Sequence, residues 1–460
     1  MTPPDTTAAD SRLKARHIAM IALGGIIGAG LFVGSSAVIA VAGPSVIISY
    51  LLTGLLITLV LNLLGDMVLG RPGLGTFIHY IARGLGPWAG YTTGWLYWGF
   101  WVIIIGSEAI AGALLLEPWI PLPVWAVSLC LVAIVTGVNL ASPASFGEVE
   151  FWLAAVKIAS IAGFLALGLA FVTHLFGHSA PVTDIILNHG GFAPHGYGAI
   201  LVCIPLIMSS MMGSEIATIA AAESADAERN LARVTRSTVL RVCSFYIGSV
   251  AMILCIVPWN TVLPGQSPFL SALDHMAVPG GATIIRIVCF SAVFSCLNSS
   301  VYVTSRTLSS LAQAGQAPRW MASSRDGHTP AKAVLFSSAI GMMFGYASIL
   351  APGAVFAFLM TAAGDIILFI YLGMVVAHGC MCRRGELAKR GGLQLYPWAN
   401  LIAGGGMVAV MIGIAMDAEQ RIPLCGSIGL LALALLSYGV LGLHKSSEEQ
   451  AVSFSPTAAE

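Results

Sequence analysis

The chain has 460 residues, of which 57% are hydrophobic and only 9% are charged, and its mean hydropathy is +0.88. Soluble domains carry about 25% charged residues, so this composition excludes an ordinary soluble domain and indicates a polytopic membrane protein whose main partner is the lipid bilayer. The formal net charge is zero, which gives no indication of a nucleic-acid partner, and we expect none.

Apolar segments of about 20 residues, long enough to cross the hydrocarbon core of a bilayer, recur along the chain. They predict an all-α membrane protein with about twelve transmembrane helices. We expect a cytoplasmic arm at 1–16, one transmembrane domain at 17–444 and a cytoplasmic tail at 445–460. The predicted spans are 18–40, 44–69, 88–116, 122–141, 150–174, 196–221, 238–258, 283–310, 332–350, 353–378, 398–416 and 422–443.

Basic residues are concentrated in alternate connections between these spans. The opposite connections are nearly free of lysine and arginine, with only Arg286 and Arg421 near them. By the positive-inside rule, both termini are cytoplasmic, and the even number of spans agrees with this orientation. We therefore predict a multi-pass protein of a bacterial-type plasma (inner) membrane. The basic side holds Arg12, Lys14, Arg16, Arg71, Arg83, Arg229, Arg233, Arg236, Arg241, Arg319, Arg325, Lys332, Arg383, Arg384, Lys389, Arg390 and Lys445.

The first span contains four glycines within the seven residues from Gly24 to Gly30. Each glycine costs about 1 kcal/mol in a helix relative to alanine, so this segment favours a break. Within a bilayer, such a break is tolerated only where it lines a cavity or is buried in protein. Its free amide N–H groups and half-helix N-terminus attract an anion, and we predict that they bind the carboxylate of a transported substrate.

The sixth span has a second interruption, Ser209-Ser210-Met211-Met212-Gly213-Ser214-Glu215. Paired interruptions five spans apart are typical of transporters built from two inverted repeats, with the substrate site at the breaks. We predict an inverted repeat of spans one to five and six to ten, with two spans added. Glu215 either contacts the substrate or only holds the break in shape.

Besides Glu215, charged residues in the interior of predicted spans include Glu108, Lys157 and Asp365, and charges there are costly and usually functional. Glu108 either pairs within the bundle, faces the substrate ammonium or binds a proton. Lys157, about two turns into the fifth span, either extends to the cytoplasmic interface or is buried and exchanges a proton during transport. Asp365 either contacts a cationic part of the substrate or pairs with a distant span.

No arrangement of side chains in the sequence indicates a metal, a cofactor or an enzyme. Cys380 and Cys382 form an isolated C-x-C pair, without the second pair that a zinc site needs. No Ser-His-Asp constellation can be placed in the spans, so an enzyme is the least supported class. The loop between spans five and six is rich in histidine but lacks metal-ligand spacing. Its histidines are His174, His178, His189 and His195.

Several motifs occur in order along most of the chain, from about Leu13 to Arg384. Together they resemble the amino acid transporter family of bacterial permeases in the amino acid–polyamine–organocation superfamily, and within it the γ-aminobutyrate permeases most. The motifs are Ile27-Gly28-Ala29-Gly30-Leu31-Phe32-Val33-Gly34, Ala42-Gly43-Pro44, Gly94-Trp95-Leu96-Tyr97-Trp98, His189-Gly190-Gly191-Phe192-Ala193-Pro194, Gly213-Ser214-Glu215 and Cys296-Leu297-Asn298-Ser299-Ser300-Val301-Tyr302.

The resemblance implies a five-plus-five inverted-repeat bundle that imports an amino acid together with protons. In such permeases the first break binds the substrate carboxylate on backbone amides, which here belong to Ile27, Gly28, Ala29 and Gly30. The second break binds the ammonium on backbone carbonyls, here of Met212, Gly213 and Ser214. The lysine implicated in proton coupling matches Lys157, and we expect Asn298 and Ser299 of span eight beside it. The acid of span three matches Glu108.

Two positions depart from this family and leave the substrate open. Ser209 stands where these permeases usually carry an aromatic gate, and Met211 replaces a second aromatic residue. Asp365 stands where a small neutral residue is usual. We expect Ser209, Met211, Glu108 and Asp365 to contact the substrate side chain. An exchanger that swaps internal for external substrate is the main alternative, and an amino acid sensor without transport is the weaker one.

Overall fold

The structure, a computed structural model, describes residues 27–141, 143–173, 189–213, 215, 242–322, 329–387 and 396–441. The predicted cytoplasmic arm and tail lie outside these ranges, as does Ser214. Within the ranges the chain is helical and contains no strand. Its α-helices are α1 (Ser35–Ala42), α2 (Val46–Gly70), α3 (Phe77–Leu85), α4 (Pro87–Leu116), α5 (Val124–Ala141), α6 (Pro143–Val172), α7 (Gly198–Val202), α8 (Ile204–Ser210), α9 (Gly248–Ile256), α10 (Pro268–His275), α11 (Gly281–Gln313), α12 (Ala331–Tyr346), α13 (Pro352–Arg383), α14 (Trp398–Met416) and α15 (Arg421–Val440).

Among the described residues, eight helical stretches are long and apolar enough to cross a membrane. One of them, Gly30–Gly70, covers the first predicted span from Gly30 onward and the whole of the second, which a short 3-10 turn at Gly43–Ser45 separates. Three shorter apolar helices, at Val124–Leu140, Gly198–Ser210 and Ser244–Ile256, coincide with the fourth, sixth and seventh predicted spans. Every predicted span therefore has a helical counterpart, and the all-α multi-span fold is confirmed. The inverted repeat stays a prediction.

Among the described residues, two helices outside the predicted spans are too short to cross a membrane. Helix α3 buries Phe77, Tyr80 and Ile81 on one face, and its N-terminus is closed by a capping box between Thr76 and His79. Helix α10 follows span seven. Neither helix forms a long apolar segment in the sequence, because α3 has only nine residues and α10 only eight.

Helix α6 begins at Pro143, seven residues before the predicted start of span five. Proline is favoured at the first position of a helix, since its missing N–H has no intrahelical partner there. Lys157 consequently lies about 21 Å along the helix, rather than two turns into it. The basic side chain is therefore far from the beginning of α6.

Helix α4 is the central element of the bundle, and 89% of its most apolar 18-residue segment is buried inside the protein. It packs against α5, α11, α12, α13 and α15. A helix that is apolar on every face is expected in such a position. The polar side chains of α4, including Tyr97, Trp101 and Glu108, are therefore held in the interior of the protein.

Three arginines from the predicted basic side meet on one carboxylate. Glu386, just after α13, lies 2.8 Å from Arg83 Nε, 3.7 Å from Arg71 Nε and 4.0 Å from Arg384 Nη1. These ion pairs join the ends of α2 and α13 to α3. The structure thus places these three predicted same-side arginines together.

Candidate substrate-binding site

The two predicted breaks lie against each other. Ile27 and Gly28 are not helical, and a π-helical turn follows at Gly30–Gly34. Helix α8 ends at Ser210, and the following turn contains Gly213 with a φ of 114°, a conformation that favours glycine. A β-carbon on Gly30 would overlap Ser210 and lie 2.9 Å from its Cα. Direct backbone contact therefore joins the two interruptions.

Glu108 of α4 occupies the first break. The backbone N–H of Ala29 donates to both carboxylate oxygens of Glu108, at 3.0 Å each. A β-carbon on Gly28 would lie 2.5 Å from Glu108 Oε1, so only glycine leaves room for the carboxylate. The Ala29 amide, which is predicted to bind the substrate carboxylate, is bound in this structure to a side-chain carboxyl group of the protein.

A cavity of about 290 Å³ adjoins both breaks. Its polar side chains are Glu108, Trp101, Ser209 and Ser210, and its remaining wall is mostly apolar. Ser209 and Ser210 donate their hydroxyls to the carbonyls of Leu206 and Ile207 in their own helix. The lining consists of Gly28, Gly30, Phe100, Trp101, Ile104, Glu108, Ser209, Ser210, Met212, Cys296 and Met360.

Helix α4 contributes residues that the sequence analysis did not select. Trp101, Ile104 and Glu108 follow a three- and four-residue spacing, which places them on one face of the helix. Counting back from Glu108 by helical turns would have identified the other two. Four more lining residues were also missed, namely Phe100, Ser210, Cys296 and Met360.

Lys157 is fully buried. Its ammonium donates to the Ser295 hydroxyl at 2.8 Å and interacts electrostatically with Glu108. The alternative in which this lysine extends to the membrane interface is therefore wrong. Its depth in α6 explains the difference, since the helix begins earlier than predicted.

On span eight, the hydrogen bond to Lys157 is accepted by Ser295 rather than by either of the two residues expected beside the lysine. Asn298 accepts a hydrogen bond from Asn139 of α5 at 2.8 Å, and the Ser299 hydroxyl has no hydrogen-bond partner among the described residues. Ser295, one helical turn before Ser299, takes the place beside the lysine. Ser295 is therefore the residue of α11 that bonds to Lys157, and the roles of Asn298 and Ser299 in proton coupling stay predictions.

Glu215 closes the second break locally. Its Oε2 accepts the N–H of Gly213 at 2.9 Å, and its Oε1 accepts the Tyr97 hydroxyl at 3.4 Å. The residue is buried but does not line the cavity. Of the two predicted roles, this geometry favours the one that holds the break in shape.

Of the other residues predicted to contact the substrate, some line the cavity and some do not. Met212 lines the cavity, and its sulfur accepts a hydrogen bond from Tyr371 at 3.4 Å. Met211 is buried away from the cavity. Neither Gly213 nor the first-break residue Ile27 is part of the lining. Ser214 lies outside the described residues.

Asp365 does not line the cavity either, although it is completely buried. Neither of its carboxylate oxygens has a hydrogen-bond partner within the described part of the chain. The preceding Gly364 lies against the backbone of Pro205 in α8. The position of Asp365 therefore gives no support to its interpretation as a substrate contact.

The loop histidines do not form a metal site among the described residues. His195 Nδ1 lies 2.8 Å from the carbonyl of Val41, and His189 Nδ1 lies 3.4 Å from Asn260 Nδ2. His174 and His178 lie outside the described ranges. Within those ranges, no group of three or more metal-ligating side chains occurs.

The family model that matches this chain and the relatives most similar to it indicate the same family. The family model described as "Amino acid permease" matches residues 17–440. The γ-aminobutyric acid permease of Bacillus subtilis is 38% identical over 96% of this chain and 95% of its own length. A probable GABA permease of Pseudomonas aeruginosa is 42% identical, over 94% and 92%.

More distant relatives include the aromatic amino acid transport protein AroP of Escherichia coli, 32% identical over 96% of both chains. These relatives are named as permeases or transport proteins rather than enzymes. The match covers the two breaks, the cavity and nearly all the helices described above. The chain is therefore a membrane-embedded transporter that belongs to the amino acid permease family.

Proposed function

We propose that this protein imports a small amino acid, γ-aminobutyrate or a close relative, by proton symport across a bacterial plasma membrane, with both termini in the cytoplasm. The observation that carries the proposal is the Glu108 carboxylate bound to the amide of Ala29. This contact places a proton-binding group on the backbone donor that the resemblance assigns to the substrate carboxylate.

One N–H group cannot hold two carboxylates at full strength. A substrate carboxylate that binds the amides of Gly28, Ala29 and Gly30 must displace Glu108 from Ala29. Two ionised carboxylates a few ångströms apart in a closed cavity would repel each other strongly. A proton on Glu108 removes this repulsion and weakens its hold on the amide. Substrate and proton therefore promote each other's binding, a coupling that is reciprocal by thermodynamic linkage.

Lys157 extends this coupling to other helices. Its buried ammonium attracts the ionised Glu108 and is held by Ser295. When Glu108 takes up a proton, that attraction is lost, and the ammonium must be stabilised by its remaining contacts. The charge state of Glu108 in α4 is thus transmitted to α6 and α11. This arrangement supports proton coupling through Lys157 but assigns no direct contact to Asn298 or Ser299.

The second break supplies acceptors for the substrate ammonium. The last carbonyls of a helix have no intrahelical partner, and α8 ends at Ser210, two residues before Met212. The carbonyl of Ser210 accepts the hydroxyl of Tyr246 at 2.6 Å. We keep the assignment of the ammonium to the carbonyls that the resemblance implies, those of Met212, Gly213 and Ser214; of these residues, Met212 lines the cavity.

The cavity favours a small substrate with an apolar middle. The space between its lining residues is about 290 Å³, part of which is open to solvent. Phe100, Trp101 and Met360 fill part of the wall and restrict the room for an aromatic side chain. The higher identity to relatives named for γ-aminobutyrate than to the one named for aromatic amino acids agrees with this preference.

Uptake of radiolabelled substrate into proteoliposomes tests the proposal. An imposed inward proton gradient should drive accumulation of γ-aminobutyrate, and a protonophore should abolish it. Accumulation that is unchanged after the gradient collapses would contradict proton symport. Accumulation that requires preloaded amino acid inside the vesicles would favour the exchanger instead.

The variant Glu108→Gln tests the mechanism separately. It keeps a carbonyl that can accept the Ala29 N–H but cannot carry the coupled proton. We expect gradient-driven accumulation to fall by about tenfold or more, while exchange of labelled for unlabelled substrate persists without dependence on pH. Wild-type accumulation by this variant would remove Glu108 from proton coupling.

A further inference from the structure

We propose that the arginine cluster around Glu386, formed by Arg71, Arg83 and Arg384, binds the phosphate of an anionic phospholipid headgroup. The cluster lies where helices α2 and α13 end beside α3. This binding site is separate from the substrate cavity, whose lining contains none of these residues. The proposal therefore depends neither on the identity of the transported amino acid nor on proton coupling.

The end of α13 is shaped so that Glu386 is held in one position. The N–H of Glu386 donates to the carbonyl of Met381 at 3.0 Å, and Gly385 has a φ of 70°. This pattern is a Schellman motif, in which a glycine with a positive φ closes the helix. The next residue, Leu387, packs against Gly70 at the end of α2. Glu386 is thereby fixed between the ends of two helices.

Hydrogen bonds also hold the three arginines together. The carbonyl of Arg71 accepts the hydroxyl of Tyr80 in α3 at 2.9 Å. Arg83 lies in the last turn of α3, and its carbonyl accepts Arg384 Nη1 at 3.2 Å. Arg83 Nε donates to the carboxylate of Glu386 at 2.8 Å. These contacts bring guanidinium groups from three separate segments of the chain to one place.

The cluster carries more positive charge than the protein neutralises. Glu386 is the only acid among the described residues that pairs with the three guanidinium groups, which leaves a surplus of two positive charges. Asp66 of α2 lies 3.7 Å from His378 Nε2 instead. The arginine side chains are 49%, 51% and 55% exposed, and each guanidinium has five N–H donors. An additional anion can therefore bind without displacing Glu386.

Exposed aromatic side chains place the cluster at the level of the lipid headgroups. Trp88, five residues after Arg83, is exposed near the start of α4. Tyr396 and Trp398 are exposed at the start of α14, and the Tyr396 ring lies 6.2 Å from that of His378 near the end of α13. Tryptophan and tyrosine are enriched at membrane–water interfaces. The anions at this level are lipid phosphates, which arginine binds with two parallel hydrogen bonds and which basic clusters beside spans attract.

Native mass spectrometry of the full chain in detergent tests the proposal, with phosphatidylglycerol as the anionic probe and phosphatidylcholine as the zwitterionic one. Arg83→Gln removes one charge from the cluster. We expect its affinity for phosphatidylglycerol to fall about fivefold, the contribution of one basic residue near anionic lipid, and its affinity for phosphatidylcholine to stay unchanged. Arg421→Gln, at the start of α15 on the predicted opposite side, removes the same charge and is the matched control. It should change neither affinity.

Glu386→Gln gives a result that a purely structural ion-pair cluster does not. It raises the positive charge of the cluster, so the affinity for phosphatidylglycerol should rise by a similar factor. Unchanged or weaker binding by a folded Glu386→Gln protein, or equal losses in Arg83→Gln and Arg421→Gln, would overturn the proposal. Displacement of phosphatidylglycerol by inorganic phosphate at equal concentration would also overturn it, because the site would then bind a soluble anion. Arg71→Gln replaces Arg83→Gln if that variant does not fold, and should show the same loss.

Discussion

In each break a glutamate carboxylate accepts a hydrogen bond from a backbone N–H, but the two glutamates come from different parts of the chain. Glu108 reaches the first break from another helix and accepts an N–H that is 79 residues away in the sequence. Glu215 accepts the N–H of Gly213, two residues before it. Glu108 lines the cavity and Glu215 does not. We propose that a substrate carboxylate can replace Glu108 at the first break, whereas Glu215 holds the second break in shape.

Helix α4 contributes to the hydrogen bonds of both glutamates. Glu108 stands on this helix, and Tyr97, eleven residues earlier, donates to Glu215. The two positions are about 16 Å apart along the helix axis. A single buried helix therefore fixes the geometry of both breaks. This difference between an exchangeable and a structural carboxylate can be tested by substitution, as follows.

The largest effect is expected where the two breaks touch. Gly30→Ala would place a methyl group against the backbone of Ser210, which cannot move aside without displacing α8. We expect a destabilisation of about 1–3 kcal/mol and almost complete loss of uptake. Thermal unfolding in detergent and uptake in proteoliposomes measure the two effects.

Gly34→Ala provides the control for that substitution. Its β-carbon would meet a methyl group of Leu206 at 3.2 Å, and a side chain can shift by a few tenths of an ångström. Uptake should remain close to that of the wild type. Equal damage at the two positions would show that the contact between the breaks has no special importance.

Glu215→Ala should weaken transport without changing its coupling. The substitution leaves the Gly213 N–H and the Tyr97 hydroxyl unpaired, at about 1–3 kcal/mol for each buried group. We expect about tenfold lower uptake with an unaltered dependence on external pH. A flattened pH profile, as expected for Glu108→Gln, would remove the distinction between the two glutamates.

Ser295→Ala tests the corrected neighbour of Lys157. It deletes a hydrogen bond to a buried ammonium, and such bonds contribute about 1.5–3 kcal/mol. We expect gradient-driven accumulation to fall by about tenfold. Ser299→Ala, one turn further along α11, should have little effect, and the reverse order of the two variants would restore the neighbour predicted from the sequence.

Asp365→Asn is expected to have the smallest effect. The carboxylate does not line the cavity and makes no hydrogen bond to the described residues. Replacing it by a neutral amide of the same shape should leave the apparent substrate affinity within about twofold. A change of preference between neutral and cationic amino acids would show instead that Asp365 contacts the substrate.

The sequence alone determined the fold class, the approximate ends of most spans and the positions of both breaks. Hydropathy reports removal from water, either into lipid or into the protein interior, and clustered glycines disfavour a continuous helix whatever packs against them. The intramembrane position of Glu108 and Lys157 was also evident from the sequence, because charges stand out in apolar segments. These properties are local, so they can be recognised without knowledge of the neighbours.

Only the tertiary structure decided which groups meet. The sequence could not show that Glu108 bonds to the Ala29 amide, that Ser295 bonds to Lys157, or that Asp365 does not line the cavity. A rotation of 100° or a shift of one turn changes the partner of a helical residue completely. Span lengths and hydropathy leave both quantities free, and the packing of α4 between its neighbours fixes them.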